Sequence, residues 1–435
     1  MHSDTTPQDR GLVRALSAWG LAAAVANTTI GGGIFVLPAA MAKAVGPAAP
    51  LYYLLCAGAV GAVALCFAEA GSRIAVSGGI SGGVEAAFGR YTGFLTSVML
   101  WLGAGLAAAG IAAAIAEALA SVVPIFHQPI WRGAFIIGLI GTFAAVNIRG
   151  VRAGSGLVSF TILAKLVPLL VLVVVGGLHV NPTLILAGGP PKADVGRAMI
   201  LGVFAFMGME TALGVSGEVK HPRRNVPLGL LGALVAVTVL YMAVQLVCEG
   251  LLGPALAGSA EPLAKAIGTV SPALAALLAA GAAISRLGYL TSDVLTAPRF
   301  LFRMAEDGLL PKPFAAVLPQ ARTPYVAIIA HATFIAALGV SGQFEALASL
   351  STLVVIIPYA IGSVAAVMLQ RRGIAEEGEP LNLPFLPVVA GVAVLAMIWI
   401  GAQAKLEELI AIAAFIAITT GTYLFARLTG RNPSN

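Results

Sequence analysis

Charge is what this sequence has least of. Asp, Glu, Lys and Arg make up 10% of its 435 residues, against roughly 25% in an ordinary soluble domain. Hydrophobic residues reach 59% and mean hydropathy is +0.96, which leaves too little polar surface to cover a core in water. A soluble enzyme, a disordered protein and a nucleic-acid binder are excluded. The net charge of +6 does not restore nucleic-acid binding. The basic residues sit in short loops between apolar runs, which is a membrane-topology pattern. Cysteine is scarce too: Cys56, Cys66 and Cys248 all lie inside apolar stretches. They read as small core residues, with no disulfide framework and no metal site. Residues 1–13 carry Asp4, Asp9 and Arg10 and no early apolar run, so no cleavable signal peptide is expected. Period-two alternation is missing, which argues against a barrel. No G-x-x-x-x-G-K-[ST], H-E-x-x-H or G-x-S-x-G motif occurs. Nothing therefore points to a cofactor, to ATP-driven work, or to metal- or serine-based membrane chemistry.

What is present is a series of apolar runs. A bilayer-spanning helix needs about 20 largely apolar residues. Twelve segments qualify, at about 17–43, 48–74, 91–121, 132–149, 155–178, 196–219, 226–252, 272–304, 323–340, 344–370, 384–403 and 406–428. With the N-terminus inside, seventeen Lys and Arg residues fall on cytoplasmic segments and six outside. The remaining two, Lys165 and Arg286, lie within spans. That asymmetry predicts both termini in the cytoplasm and an even number of spans.

Two spans carry interruptions. The first contains Gly31-Gly32-Gly33 and the sixth contains Gly208, Gly214 and Gly217. A glycine weakens a helix interior by roughly 1 kcal/mol relative to alanine. Breaks five spans apart are what two inverted five-helix repeats would give, with the broken helices meeting at the midplane around a substrate site. Close packing of helices through small residues accounts for the same glycines.

The residues at the first break read Ile30-Gly31-Gly32-Gly33-Ile34-Phe35-Val36-Leu37-Pro38-Ala39. Phe67-Ala68-Glu69-Ala70, Ser77-Gly78-Gly79, Ala87-Phe88-Gly89 and Asn147-Ile148-Arg149-Gly150 follow in order. Then come Phe204-Ala205-Phe206-Met207-Gly208-Met209-Glu210, His221-Pro222-Arg223-Arg224-Asn225-Val226-Pro227, Ala305-Glu306-Asp307-Gly308-Leu309-Leu310-Pro311 and Ile356-Ile357-Pro358-Tyr359. This ordered set resembles the amino acid–polyamine–organocation (APC) superfamily over nearly the whole chain. It is most similar to the basic amino acid/polyamine antiporter branch, such as arginine/agmatine exchangers. The resemblance implies an all-α integral membrane protein of 12 transmembrane helices. Its fold would be LeuT-like, a 5+5 inverted repeat with helices 1 and 6 broken. On that plan residues 1–16 are a cytoplasmic tail, 17–178 the first five-helix repeat, 196–370 the second, 384–428 helices 11 and 12, and 429–435 a second cytoplasmic tail.

Unwinding at Gly31 to Gly33 frees backbone N–H groups near a helix end, which suit a carboxylate. Carbonyls near Phe206 to Gly208 would accept from an α-ammonium. Ile30 and Ile34 flank this site, and Ala108, in the apolar run Ala107-Ala108-Ala109 of span 3, faces it. The family often has Ser or Ala where this chain has Gly32, so a hydroxyl contact to the carboxylate is missing. Phe204 resembles the aromatic lid of the antiporters; a packed aromatic is the alternative.

The intramembrane charges need their own account. Lys165 lies about ten residues into its span, roughly 15 Å deep. An ammonium there costs several kcal/mol unless paired or neutralised. Thr161-Ile162-Leu163-Ala164-Lys165-Leu166-Val167-Pro168 resembles sodium-independent members, whose lysine takes the place of a sodium ion and bridges helices 1 and 8. A purely structural cation bonded to carbonyls is the alternative. Glu210 matches a glutamate linked to pH response in the antiporters, or serves as a hydrogen-bond anchor. Arg286 and Asp293 are two turns apart on one face, about 10.5 Å along the axis. Asp293 falls where the exchangers place a pocket aromatic and suits an amine-bearing side chain. Arg286 suits an acidic one, and the two side chains also read as an ion pair. Glu69, near the inner end of span 2, fits a cytoplasmic gate network. His331 is isolated in sequence and reads as a packed histidine.

Together these features predict a transporter rather than an enzyme. It would be a secondary carrier of an amino acid or related amine in the inner (cytoplasmic) membrane, working by exchange or with protons. An integral membrane enzyme, a sensor and a channel are the competing classes. Oligomeric state, a homodimer included, is left open.

Overall fold

The structure is a computed structural model and describes residues 17–74, 80–150, 155–187, 193–209, 219, 222–375 and 380–428. Among these the chain is helical, with one isolated bridge between Leu318 and Thr323. Among the described residues seven helices are long and apolar enough to cross a membrane, and four shorter ones of 10–17 residues are apolar as well.

The first expected span is interrupted. Helix α1 (Ala18–Thr29) starts at Ser17, whose hydroxyl accepts from the Gly20 N–H, and ends at Ile30. Gly31 is extended, Gly32–Phe35 form a 3-10 turn, and helix α2 resumes at Leu37–Val45. Pro38 explains the restart. It lacks an N–H, so it is accommodated in a first turn and would break a helix interior. Gly46 turns the chain at φ 56° into α3 (Ala49–Arg73).

A short helix α4 (Ile80–Phe88) leads into α5 (Arg90–Val122), a 33-residue helix whose alanine run Ala107–Ala109 and Ala112–Ala114 is buried. Small side chains let neighbours approach this axis closely, and α15 (Phe344–Arg371) packs along it. Then come α6 (Pro129–Ile148) and α7 (Ser155–Val171), the latter continuing into a π-helical turn at Leu172–Gly176. The short α8 (Pro182–Ala187) precedes α9 (Val195–Phe206), capped by Asp194. Helix α10 (Pro222–Leu252) packs on α1 and α3. The chain continues through α11 (Pro262–Gly268), α12 (Pro272–Thr296), α13 (Pro298–Glu306) and α14 (Tyr325–Ser341). After α15 it ends with α16 (Leu386–Gly401) and α17 (Leu406–Leu428).

The outward faces are apolar. On α16, Val388, Val392, Leu395 and Trp399 are exposed at helical spacing, a stripe that lipid rather than water would cover. Polar and charged side chains such as Glu69, Lys165, Gln245, Arg286 and His331 are buried inside instead.

Candidate functional site

Helix α9 ends beside the end of α1. Phe206 is its last residue, and Gly208 follows at φ 98°, a left-handed conformation that suits glycine. A Cβ on Gly208 would lie 2.9 Å from the Thr28 carbonyl oxygen, so the two chain interruptions meet backbone to backbone.

The break in the first segment is walled by three helices. A Cβ on Gly33 would meet the Phe204 ring at 3.0 Å. Phe204 is buried and packs edge-on against Phe344 at 5.8 Å between centroids. A Cβ on Gly32 would meet Arg286 Cγ at 2.9 Å, Arg286 Cα at 3.2 Å and Ile111 Cδ1 at 3.2 Å. Tyr289, one turn from Arg286, stands over Gly31. Ile30 and Ile34 are buried at the two ends of the break. Ala108, 0% exposed, lies on α5 one turn before Ile111. Phe206 turns to Tyr241, at 5.6 Å between rings.

Breaking a helix frees carbonyls, and each needs a donor. In an unbroken helix the Asn27 carbonyl would accept from the Gly31 N–H. Here that N–H donates to the Thr29 carbonyl instead, at 2.8 Å. Lys165 fills the gap: its Nζ donates to the Asn27 carbonyl at 2.5 Å. Tyr241 adds a second tie, its hydroxyl donating to the Thr29 carbonyl at 3.0 Å. Among the described residues the Lys165 ammonium has no bond to α12. That helix nevertheless packs against the same turn, where a Cβ on Gly281 would lie 2.9 Å from the Ala164 carbonyl oxygen.

Arg286 and Asp293 share a face of α12 but do not pair with each other. Arg286 is 2% exposed and its Nη1 donates to Glu261 Oε1 at 2.6 Å. Its Nε and Nη2 are buried without a partner among the described residues. Asp293 reaches α14 instead. Trp101 Nε1–H donates to His331 Nδ1 at 3.0 Å. An indole nitrogen only donates, so Nδ1 is the bare nitrogen of a neutral ring and Nε2–H donates to Asp293 Oδ2, 2.9 Å away. His331 is therefore the hinge of a Trp–His–Asp chain linking α5, α14 and α12, with His331 and Asp293 buried. The two-turn separation is too long for an ion pair, and each side chain crosses to another element.

Glu69 lies at the other end of the bundle. It accepts from Arg73 Nε at 2.7 Å and from the Leu383 N–H at 2.8 Å. Arg73 also donates to Asn382 and to the Ile374 carbonyl. The network fastens the end of α3 to the segment after α15. Glu210, Gly214, Gly217 and the Ser77–Gly79 run lie outside the described residues.

Sequence reasoning passed over Tyr241, Glu261 and the pair Gln245–Glu249 on α10. Glu249 carried a usable signal, because it is a carboxylate inside an apolar run. Glu261 carried none, being a loop residue whose partner is distant in sequence.

A many-helix apolar bundle with an interrupted first segment, buried charges and lipid-type outer faces defines an integral membrane protein. The family model described as amino acid permease matches residues 16–422, and the chain belongs to that family: it is a transporter, not an enzyme. It is 28% identical to the methylthioribose transporter of Bacillus subtilis, covering 90% of this chain and 88% of the relative. It is 26% identical to the putrescine transporter PotE of Escherichia coli, covering 79% and 81%. It is 25% identical to the serine/threonine exchanger SteT of Bacillus subtilis, covering 88% and 90%.

Proposed function

We propose that the chain is a sodium-independent secondary carrier of an amino acid or related amine, bound at the interruption of the first segment. The observation that carries this reading is the Lys165–Asn27 bond: an ammonium fixes the frayed end of α1 where a sodium ion would otherwise be needed. Gly32 and Gly33 supply N–H groups for a carboxylate, the Gly31 N–H being taken by the Thr29 carbonyl, and the unpartnered edge of Arg286 reinforces that preference. Phe204 closes over the site, and Ala108, Ile30 and Ile34 line it. Phe206 and Gly208 set the facing end of α9. Asp293, held by His331, forms the wall below Tyr289. Glu69 belongs to a gate at the cytoplasmic end, and Glu210 joins Lys165 and Arg286 in coupling.

The same reading takes the chain as twelve spans in two inverted repeats, residues 17–178 and 196–370, followed by 384–428, with both tails cytoplasmic. It works in the inner membrane by alternating access, the broken segments rocking against the rest. The meeting of Gly208 with Thr28 and the charge asymmetry support it.

Radiolabelled amino acid flux in proteoliposomes tests it. Saturable counterflow that persists when choline replaces sodium is the expected result. Flux that never saturates, or that requires sodium, overturns it.

A further inference from the structure

A second polar cluster lies on α10, away from the break. Gln245 is 0% exposed and Glu249, one turn on, is 4% exposed. Gln245 Nε2 donates to Glu249 Oε1 at 2.8 Å and to the Pro38 carbonyl at 3.3 Å. The other two oxygens of the pair, Gln245 Oε1 and Glu249 Oε2, are buried with no donor among the described residues. Glu249 also lines a cavity of about 170 Å³, together with Ala42, Lys43, Leu184, Gly253 and Ala257. Lys43, 63% exposed at its side chain, connects this cavity to the surface, where it pairs with Glu345 at 3.5 Å.

Two buried acceptors without a donor are expensive in a membrane interior. A single proton answers both. On Glu249 Oε2 it converts that oxygen into a donor, and Gln245 Oε1 is the unpartnered acceptor on the same helix face. An amide and a carboxylic acid pair in this way through two bonds that close a ring, and the structure already holds one of them. We propose that Glu249 is a proton-binding site of the carrier, filled through the cavity beside Lys43 and coupled to the first segment through Gln245 and the Pro38 carbonyl. This rests on the carrier reading above.

The surroundings favour a proton over a counter-charge. Helix α3 brings Tyr53, a neutral phenol whose hydroxyl has no partner among the described residues, and α2 brings Lys43, already paired at the surface. On α10 itself the neighbours are Tyr241 and Cys248. Helices α1 and α8, the 3-10 turn Gly253–Leu256 and the π-helical turn Leu172–Gly176 contain no titratable side chain. Helix α11 carries only Lys265, which is exposed. Coupling follows from position. Pro38 opens α2, the outer half of the broken segment. When α2 moves against α10, the Gln245 bond to Pro38 breaks and the amide can rotate away from the acid. The proton, taken up through the cavity beside Lys43, then leaves Glu249 for water on the opposite side, so that one proton crosses with each substrate.

The test uses the full chain in proteoliposomes with radiolabelled serine or putrescine, whichever gives counterflow. An inward gradient of about one pH unit can drive up to about tenfold accumulation at one proton per substrate. Wild type should accumulate substrate; Glu249→Gln, which keeps the amide-like pairing, should retain counterflow and lose the accumulation. A pH-indicator dye on purified wild type should report a proton moved on substrate binding, absent in Glu249→Gln. Accumulation by Glu249→Gln equal to wild type overturns the proposal, as does a wild type with counterflow but no proton movement. If Glu249→Gln loses counterflow too, Glu249→Asp decides: proton movement retained in Asp and lost in Gln supports the site, and equal behaviour overturns it. Absence of counterflow in wild type for every solute is the separate result that removes the carrier reading itself.

Discussion

Lys165 on α7 donates to the main-chain oxygen of Asn27 on α1, at 2.5 Å, in the place that the Gly31 amide would occupy in a continuous helix. A side chain far away in sequence thus completes the end of an interrupted helix. Removing it strands a buried carbonyl, at a cost of about 1–3 kcal/mol. Lys165→Met, which keeps the stem and loses the donors, should reduce counterflow by about tenfold or more. The measurement is initial-rate counterflow in vesicles, with thermal stability of the purified protein beside it. Wild-type rates in the variant would reduce Lys165 to a packing residue.

Gly32 and Arg286 occupy each other's space. A methyl group at position 32 would sit 2.9 Å from Arg286 Cγ and 3.2 Å from its Cα, so the flexible stem and the backbone of α12 would both have to yield. Overpacking of this kind costs about 1–3 kcal/mol. Gly32→Ala should weaken substrate binding and lower thermal stability, while Gly32→Ala with Arg286→Ala should cost less than the sum of the two single changes. A double-mutant cycle that is strictly additive would show that the contact has no energetic meaning. The same contact accounts for glycine at position 32: the arginine stem fills the space that a side chain would need.

The break itself was legible in the residues. Three adjacent glycines followed by Pro38 leave an unbroken helix little support, and the chain stops and restarts across them. Lys165 was legible as a cation too deep to reach water. Partners across the bundle were not. The spacing of Arg286 and Asp293 gives a shared face, yet their neighbours Glu261 and His331 come from a loop and from α14, and helical periodicity carries no record of which helix lies opposite. His331 read as a lone packed residue for the same reason. Helix α4 escaped notice because nine residues beside a glycine-rich run give too short a period to read.

Asp293 and His331 can be separated by substitution. In Asp293→Asn the side-chain oxygen still accepts from His331 Nε2–H, so the Trp101–His331 chain survives. His331→Leu removes both bonds and leaves the Asp293 side chain buried without its donor, which costs about 1–3 kcal/mol. The expected order is a mild effect for Asp293→Asn and a large stability loss for His331→Leu, measured by thermal unfolding in detergent. A selective loss of cationic over neutral substrates in Asp293→Asn would instead give the carboxylate a direct hand in amine recognition.

The Glu69–Arg73 pair makes the sharpest prediction about the far end of the bundle. Both side chains are buried, at 0% and 3% exposure, and between them they hold Leu383, Asn382 and Ile374. Truncating one partner of such a pair leaves an uncompensated charge and costs about 3–5 kcal/mol, whereas replacing both with neutral groups costs far less. Glu69→Ala should therefore express poorly or unfold early, and Glu69→Gln with Arg73→Gln should recover most of the stability. If the pair is also a gate, the recovered double variant will still be defective in flux, because the segment after α15 is no longer gripped when that end closes. Normal counterflow in a stable double variant would leave the network with a purely structural role.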